Sequence, residues 1–112
     1  MMLNNHIKLI IYFWRMEIAK IRQELAENVA KIEPIGKRLK FKLDEEFILI
    51  DGRDGKNDVR DTDEESDCTI TMSLETYQKL QRKEIKPMIA TLTGKIKVKG
   101  DIGLAQKLKQ LM

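Results

Sequence analysis

From Met16 onward the apolar residues fall into periodic sets. Ile18, Ile21, Leu25, Val29 and Ile32 recur at spacings of three and four, with Arg22, Glu24, Glu27 and Lys31 elsewhere on the wheel. This predicts an amphipathic helix, which Pro34 and Gly36 stop. Residues 38–43 then alternate with period two: Leu39, Phe41 and Leu43 point one way and charged side chains the other. That is the pattern of a half-buried strand. Asp44 and Glu45 supply a short turn, and residues 47–50 form a second strand that is apolar on both faces, so the two pair as a hairpin.

Residues 51–67 are polar, with Gly52 and Gly55 at turns and Val59 as the single large apolar residue. A short strand at 58–60 is the most this stretch supports. Residues 68–72 alternate again and are rich in β-branched side chains, a strand with Cys68, Ile70 and Met72 on one face. Ser73 is suited to N-cap a helix over 74–82, with Leu74, Tyr77 and Leu80 or Gln81 inward. Pro87 opens a short helix over 88–93 that Gly94 ends. Residues 95–99 form the last strand, lysines outward and Ile96 and Val98 inward. Asp101 caps a closing helix whose stripe is Leu104, Ala105, Leu108, Leu111 and Met112. The order is helix, three strands, strand, helices, strand, helix, and the fold class is α+β.

The start of the chain differs in character. Residues 7–14 are apolar except for Lys8, too short a run for a bilayer span of about 20 residues, and no small-residue cleavage site follows. Residues 1–15 are therefore set apart as an N-terminal extension, disordered or belonging to an over-long start, ahead of a domain over 16–112. The alternatives are an interfacial anchor with Tyr12, Phe13 and Trp14 at headgroup level, and a helix docked on the body.

Composition narrows the function classes. A chain of 112 residues, 42% apolar and 35% charged, fits one small globular domain and neither a disordered segment nor a membrane protein. Cys68 is the only cysteine, which excludes an intrachain disulfide and points to the reducing cytoplasm. His6 is the only histidine, which excludes a Ser-His-Asp or Cys-His apparatus deeper in the chain and any multi-histidine metal site. The acidic middle does not fit a calcium loop. Started at Asp51, the EF-hand pattern meets Arg53 at its second ligand position; started at Asp61, it meets Ser66 in place of glycine and Met72 in place of glutamate. Thr93-Gly94-Lys95 lacks the rest of a phosphate loop. No catalytic constellation emerges, so the expectation is a protein that is not an enzyme and needs no metal or cofactor.

Charge is segregated. Residues 1–43 carry nine bases and four acids, 44–50 three acids, 51–67 eight acids and three bases, and 68–112 nine bases and three acids. An acidic middle thus lies between basic flanks. It is either a solvated, self-complementary surface or one that attracts an anionic lipid, membrane or nucleic acid. Nucleic acid is the weaker partner: Lys95, Lys97 and Lys99 form a row, but the body's aromatics are only Phe41, Phe47 and Tyr77, with the phenylalanines on buried strands, so base-stacking platforms are scarce. The apolar pattern leaves two readings open. The helices seal the sheet with Met72, Met88 and Met112 as core filler, or they leave an aliphatic, thioether-bearing cavity suited to a chain-like ligand.

Three segments together bear on that choice: residues 67–73 (Asp-Cys-Thr-Ile-Thr-Met-Ser), Lys86-Pro87 ahead of a short helix, and residues 93–108 (Thr-Gly-Lys-Ile-Lys-Val-Lys-Gly-Asp-Ile-Gly-Leu-Ala-Gln-Lys-Leu). With the helix and hairpin in the expected order, residues 16–112 resemble the sterol carrier protein 2 (SCP-2, non-specific lipid-transfer) domain family. The resemblance implies an α+β fold, a five-stranded mixed sheet with helices over one face and a hydrophobic tunnel closed by the C-terminal helix. It also implies non-catalytic binding of a lipid: a fatty acid, acyl-CoA, sterol-like or isoprenoid ligand. The lining it implies is Leu104, Ala105 and Leu108, with Ile96 and Val98 beneath and Met88 and Leu92 alongside; Met72, Leu111 and Met112 complete the candidate set. Departures from the family pattern are Lys83 where glycine is common, Thr91-Leu92 for bulkier residues, Ile102 for methionine and Gln106 for an apolar residue. The expected protein is a cytoplasmic, monomeric lipid carrier that touches anionic membranes transiently. The alternatives are a lipid-holding accessory subunit of a lipid or quinone biosynthetic enzyme and, in another class, a basic nucleic-acid binder.

Overall fold

The computed structural model describes residues 5–107. Helix α1 (Asn5–Val29) leads into a five-stranded sheet made of β1 (Arg38–Leu43), β2 (Glu46–Asp51), β3 (Asp58–Arg60), β4 (Cys68–Met72) and β5 (Lys97–Gly100). Helices α2 (Leu74–Gln81) and α3 (Pro87–Leu92) stand between β4 and β5, and α4 (Ile102–Gln106) follows β5. The strand order is β3-β2-β1-β4-β5. All pairs are antiparallel except the central β1–β4 pair, which is parallel, so the sheet is mixed.

The period-two pattern decides which face is buried. Leu39, Phe41 and Leu43 share a face with Ile48, Ile50, Cys68, Ile70 and Met72, and all are buried. Ile18, Ile21, Leu25 and Val29 of α1 and Leu74, Tyr77 and Leu80 of α2 join them in one core. Tyr77 meets Phe41 edge-on, with ring centroids 6.4 Å apart. Burial pushes the Tyr77 phenol well above its ordinary pKa, and the charge of Glu24 adds to the shift.

On the opposite face, the register sets Arg38, Lys40 and Lys42 beside Phe47, Leu49 and Asp51. Leu49 is nevertheless fully buried, because the charged segment after β3 folds over it. Lys40 reaches across the Phe47 ring and donates to Asp63 Oδ1 at 2.8 Å and to the Glu64 carbonyl at 2.9 Å. Arg60, opposite Leu49, lies 3.3 Å from Glu64 and 2.8 Å from Asp51. The acidic stretch is therefore a lid on the β1–β2–β3 half of this face. The β4–β5 half carries Thr69, Thr71, Lys97 and Lys99 in register with no such cover among these ion pairs.

Several local expectations hold in detail. Ser73 Oγ accepts from the Thr76 amide and Asp101 Oδ1 from the Leu104 amide, so both caps form as read. Two differences have physical causes. The first helix begins at Asn5, not near Met16. Residues 7–13 are apolar apart from Lys8 and lack amphipathic periodicity, yet they hold no breaker, so the helix runs through them. At the other end β5 begins at Lys97, because the Lys95 and Ile96 amides both donate to the Ala90 carbonyl and close α3. None of the helices, among the described residues, is long and apolar enough to cross a membrane.

Candidate functional site

The expected lining residues divide into three groups. Met72, Ile96 and Leu104 are buried, and Ala105 packs half-buried against the core. Met88, Leu92 and Val98 are turned to solvent, at 71%, 77% and 37% exposure. Leu108, Leu111 and Met112 lie outside the described residues.

The middle group has a local explanation. Only Ala90 of α3 is buried, and its carbonyl ties the helix to the chain entering β5, which leaves Met88, Ile89 and Leu92 facing out. Val98 is on the core face opposite Ile70, but β5 is an edge strand and the described part of α4 does not cover it. Ile102, at the start of α4, is also exposed. Met88, Ile89, Leu92, Val98 and Ile102 are therefore exposed apolar residues on α3, β5 and α4, the elements at the β5 end of the sheet. Periodicity did not reveal Ile89 and Ile102, because α3 and α4 are too short to show a repeat.

The second exposed apolar group lies on α1. Leu9, Ile10, Tyr12, Phe13 and Met16 are each at least half exposed, with Lys8 and Arg15 among them and no acidic residue before Glu17. Trp14 turns inward against the core.

Reactive groups are few. Cys68 is buried, and burial, then the charge of Asp101, raises its thiol pKa. Among the described residues no three His, Cys, Asp or Glu side chains gather as a metal site. One cleft, of about 240 Å³, opens at the sheet end between Lys42, Thr71, Ser73 and Lys97. A smaller one, about 60 Å³, lies between α1 and α2 beside Lys20, Glu24 and Gln78. Neither is an enclosed apolar tunnel.

The family model for the SCP-2 sterol transfer family matches residues 18–112. Sterol carrier protein 2 of Rattus norvegicus is 35% identical over 102 residues, covering 85% of this chain and 18% of that protein. The chain thus spans less than a fifth of the length of that relative. Among solved structures, the crystal structure of sterol carrier protein 2 like 2 from Aedes aegypti is 26% identical with a TM-score of 0.65, covering 88% of this chain and 98% of that one. The same protein in palmitated form, solved in solution, is 25% identical with a TM-score of 0.54, covering 82% and 86%. The ubiquinone synthesis protein UbiJ-SCP2 shares the fold at 20% identity and a TM-score of 0.65, covering 88% and 95%. With the family model matched from the middle of α1 to the end of the chain, and the fold shared with these structures, this chain belongs to the SCP-2 sterol transfer family.

Proposed function

We propose that this chain is a non-catalytic lipid carrier that takes an acyl, acyl-CoA, sterol-like or isoprenoid chain against the apolar surface of α3, β5 and α4. The observation that carries this reading is the exposure of Met88, Ile89, Leu92, Val98 and Ile102 in a lipid-binding family. An apolar patch on a small domain is costly to leave in water, at about 25 cal/mol per Å², and marks a surface that binds something. Each methylene of a ligand chain buried there contributes about 0.8 kcal/mol. The palmitated Aedes aegypti relative supports an acyl chain as the simplest occupant. Met72, Ile96, Leu104 and Ala105 form the floor of this surface in the proposal, and Leu108, Leu111 and Met112 are proposed to contact the ligand chain as well.

The proposal places the carrier in the cytoplasm, where the buried Cys68 thiol stays reduced, and as a monomer. The α1 segment around Ile10, Tyr12 and Phe13, with Lys8 and Arg15, would meet anionic membranes during loading. Amphipathic rings sit well at headgroup level, and basic residues gain from anionic lipid. A lipid-holding accessory subunit is the second reading, favoured by the same α1 surface as a place for a partner enzyme. Native mass spectrometry of protein purified from its own host tests the carrier directly. A stoichiometric lipid adduct is expected; lipid-free protein that also gains no mass with added fatty acid would overturn the reading. A pull-down with and without lipid extract separates carrier from subunit.

A further inference from the structure

The cleft at the sheet end lies where three connections meet: the β1–β2 turn at Asp44, the β4–α2 junction at Met72 and Ser73, and the α3–β5 loop at Gly94 and Lys95. The register sets Lys42, Thr71 and Lys97 side by side on β1, β4 and β5. With neighbouring strands about 4.8 Å apart, the two lysine backbones stand about 10 Å apart with the Thr71 hydroxyl between them. Lys95, in the α3–β5 loop, also lines the cleft. Against these stands one carboxylate, Asp44, whose Oδ2 is engaged by the Leu74 amide at 2.9 Å.

Like several other surface lysines, the three at the cleft are outside the ion-pair network of the acidic middle; what distinguishes them is that they line one cleft together. The acidic middle segment pairs with Arg22, Lys40, Arg53 and Arg60. Lys42, Lys95 and Lys97 have no carboxylate partner among the described residues. A volume of about 240 Å³ is roughly eight times a water molecule's share of the liquid, about 30 Å³. That is room for an anion carrying one or two phosphoryl groups.

We propose that this cleft binds a phosphate monoester or diphosphate group, between the Lys42, Lys95 and Lys97 ammonium groups and the Thr71 hydroxyl. The site does not depend on the apolar surface described above, because Lys42, Thr71 and Lys97 project from the other face of the sheet. Two sources share the chemistry, a soluble phosphate compound and a phosphate-bearing lipid headgroup.

The test is an amide NMR titration with inorganic pyrophosphate, against sodium chloride at matched ionic strength. The expected result is saturable shifts confined to Thr71, Ser73, Gly94 and Lys95. Binding should weaken about tenfold in the Lys42→Gln, Lys97→Gln double variant and stay unchanged in Lys99→Gln, which removes a lysine on the same strand outside the cleft. Equal shifts with chloride, or equal binding by the double variant, would overturn the site. Vesicles of phosphatidylcholine with and without phosphatidic acid then separate the sources. Weaker phosphatidic-acid binding by the double variant than by the parent assigns the headgroup, and equal binding assigns the soluble compound.

Discussion

The side-chain amide of Asn57 holds the end of the first helix: its Nδ2 donates to the Val29 carbonyl at 3.0 Å. The same nitrogen donates to the Glu33 carbonyl at 3.1 Å, and Oδ1 accepts from the Ile35 amide at 2.8 Å. One residue before β3 thus satisfies backbone groups across the whole α1–β1 connection. Asn57→Ala leaves them unpaired and should cost about 2 kcal/mol. Gly52 lies against this knot, since a Cβ there would fall 2.6 Å from Asn57 Oδ1 and 2.7 Å from the Ile35 amide nitrogen. Gly52→Ala should therefore destabilise by a similar amount. Urea unfolding of both variants checks the pair, and a loss below about 0.5 kcal/mol in Asn57→Ala would refute the role.

Acid stability should depend on Asp51. Its buried carboxylate receives Arg53 Nε at 2.9 Å, Arg53 Nη2 at 2.8 Å and Arg60 Nη2 at 2.8 Å. The Arg53 hydrogen bonds first, and then Arg60, hold its pKa well below the usual carboxylate range. A folded pKa depressed below the unfolded value of about 3.9 stabilises the protein fully above that pH, and the gain is lost as the pH falls toward the folded value. Asp51→Asn should therefore melt lower than the parent at neutral pH, with the gap narrowing as the pH drops below about 4. A gap independent of pH would refute the assignment.

Lys83 should be replaceable with gain. Its φ is +59°. It follows α2 at the position where its amide bonds the Leu80 carbonyl and the Glu84 amide bonds the Lys79 carbonyl, a Schellman ending that favours glycine. Lys83→Gly removes a left-handed penalty of about 1 kcal/mol, so thermal unfolding should shift upward. A lower melting temperature would show that the lysine side chain matters more than its backbone.

Membrane contact should follow the α1 surface. Ile10→Glu with Phe13→Glu places two charges at exposed positions and should leave the fold intact while reducing sedimentation with phosphatidylserine vesicles. Unchanged binding would move the contact elsewhere.

How much of this was legible in the sequence depends on the range of the interaction. The limits of β1, β3 and β4 and the Ser73 and Asp101 caps follow from alternation and capping chemistry within a few residues, and the structure reproduces them. The central parallel pairing of Phe41 with Ile70 joins residues far apart in the chain, and local periodicity carries no information about it. The family resemblance implied a five-stranded mixed sheet but not which strands pair. The start of α1 lies before the amphipathic repeat, because its first turns are mostly apolar without a helical period and gave only the alternative of a docked helix. The burial of Asp51 was missed because a carboxylate in a polar stretch gives no sign that two arginines will enclose it. At the candidate lipid surface, alternation placed Val98 on the core face, where it is, but could not show that an edge strand beside a short helix leaves it open.

The most direct measurement of the central claim is displacement of a fluorescent fatty acid by Leu92→Glu and Met88→Glu variants. Leu104→Arg is a poorer probe, since Leu104 is 3% exposed and a charge there disturbs the core itself. Leu92 and Met88 are exposed, so their variants should fold and melt as the parent does. Lipid binding on the α3–β5–α4 surface predicts that each binds the fatty acid about tenfold more weakly; parent-like affinity in both folded variants would contradict it.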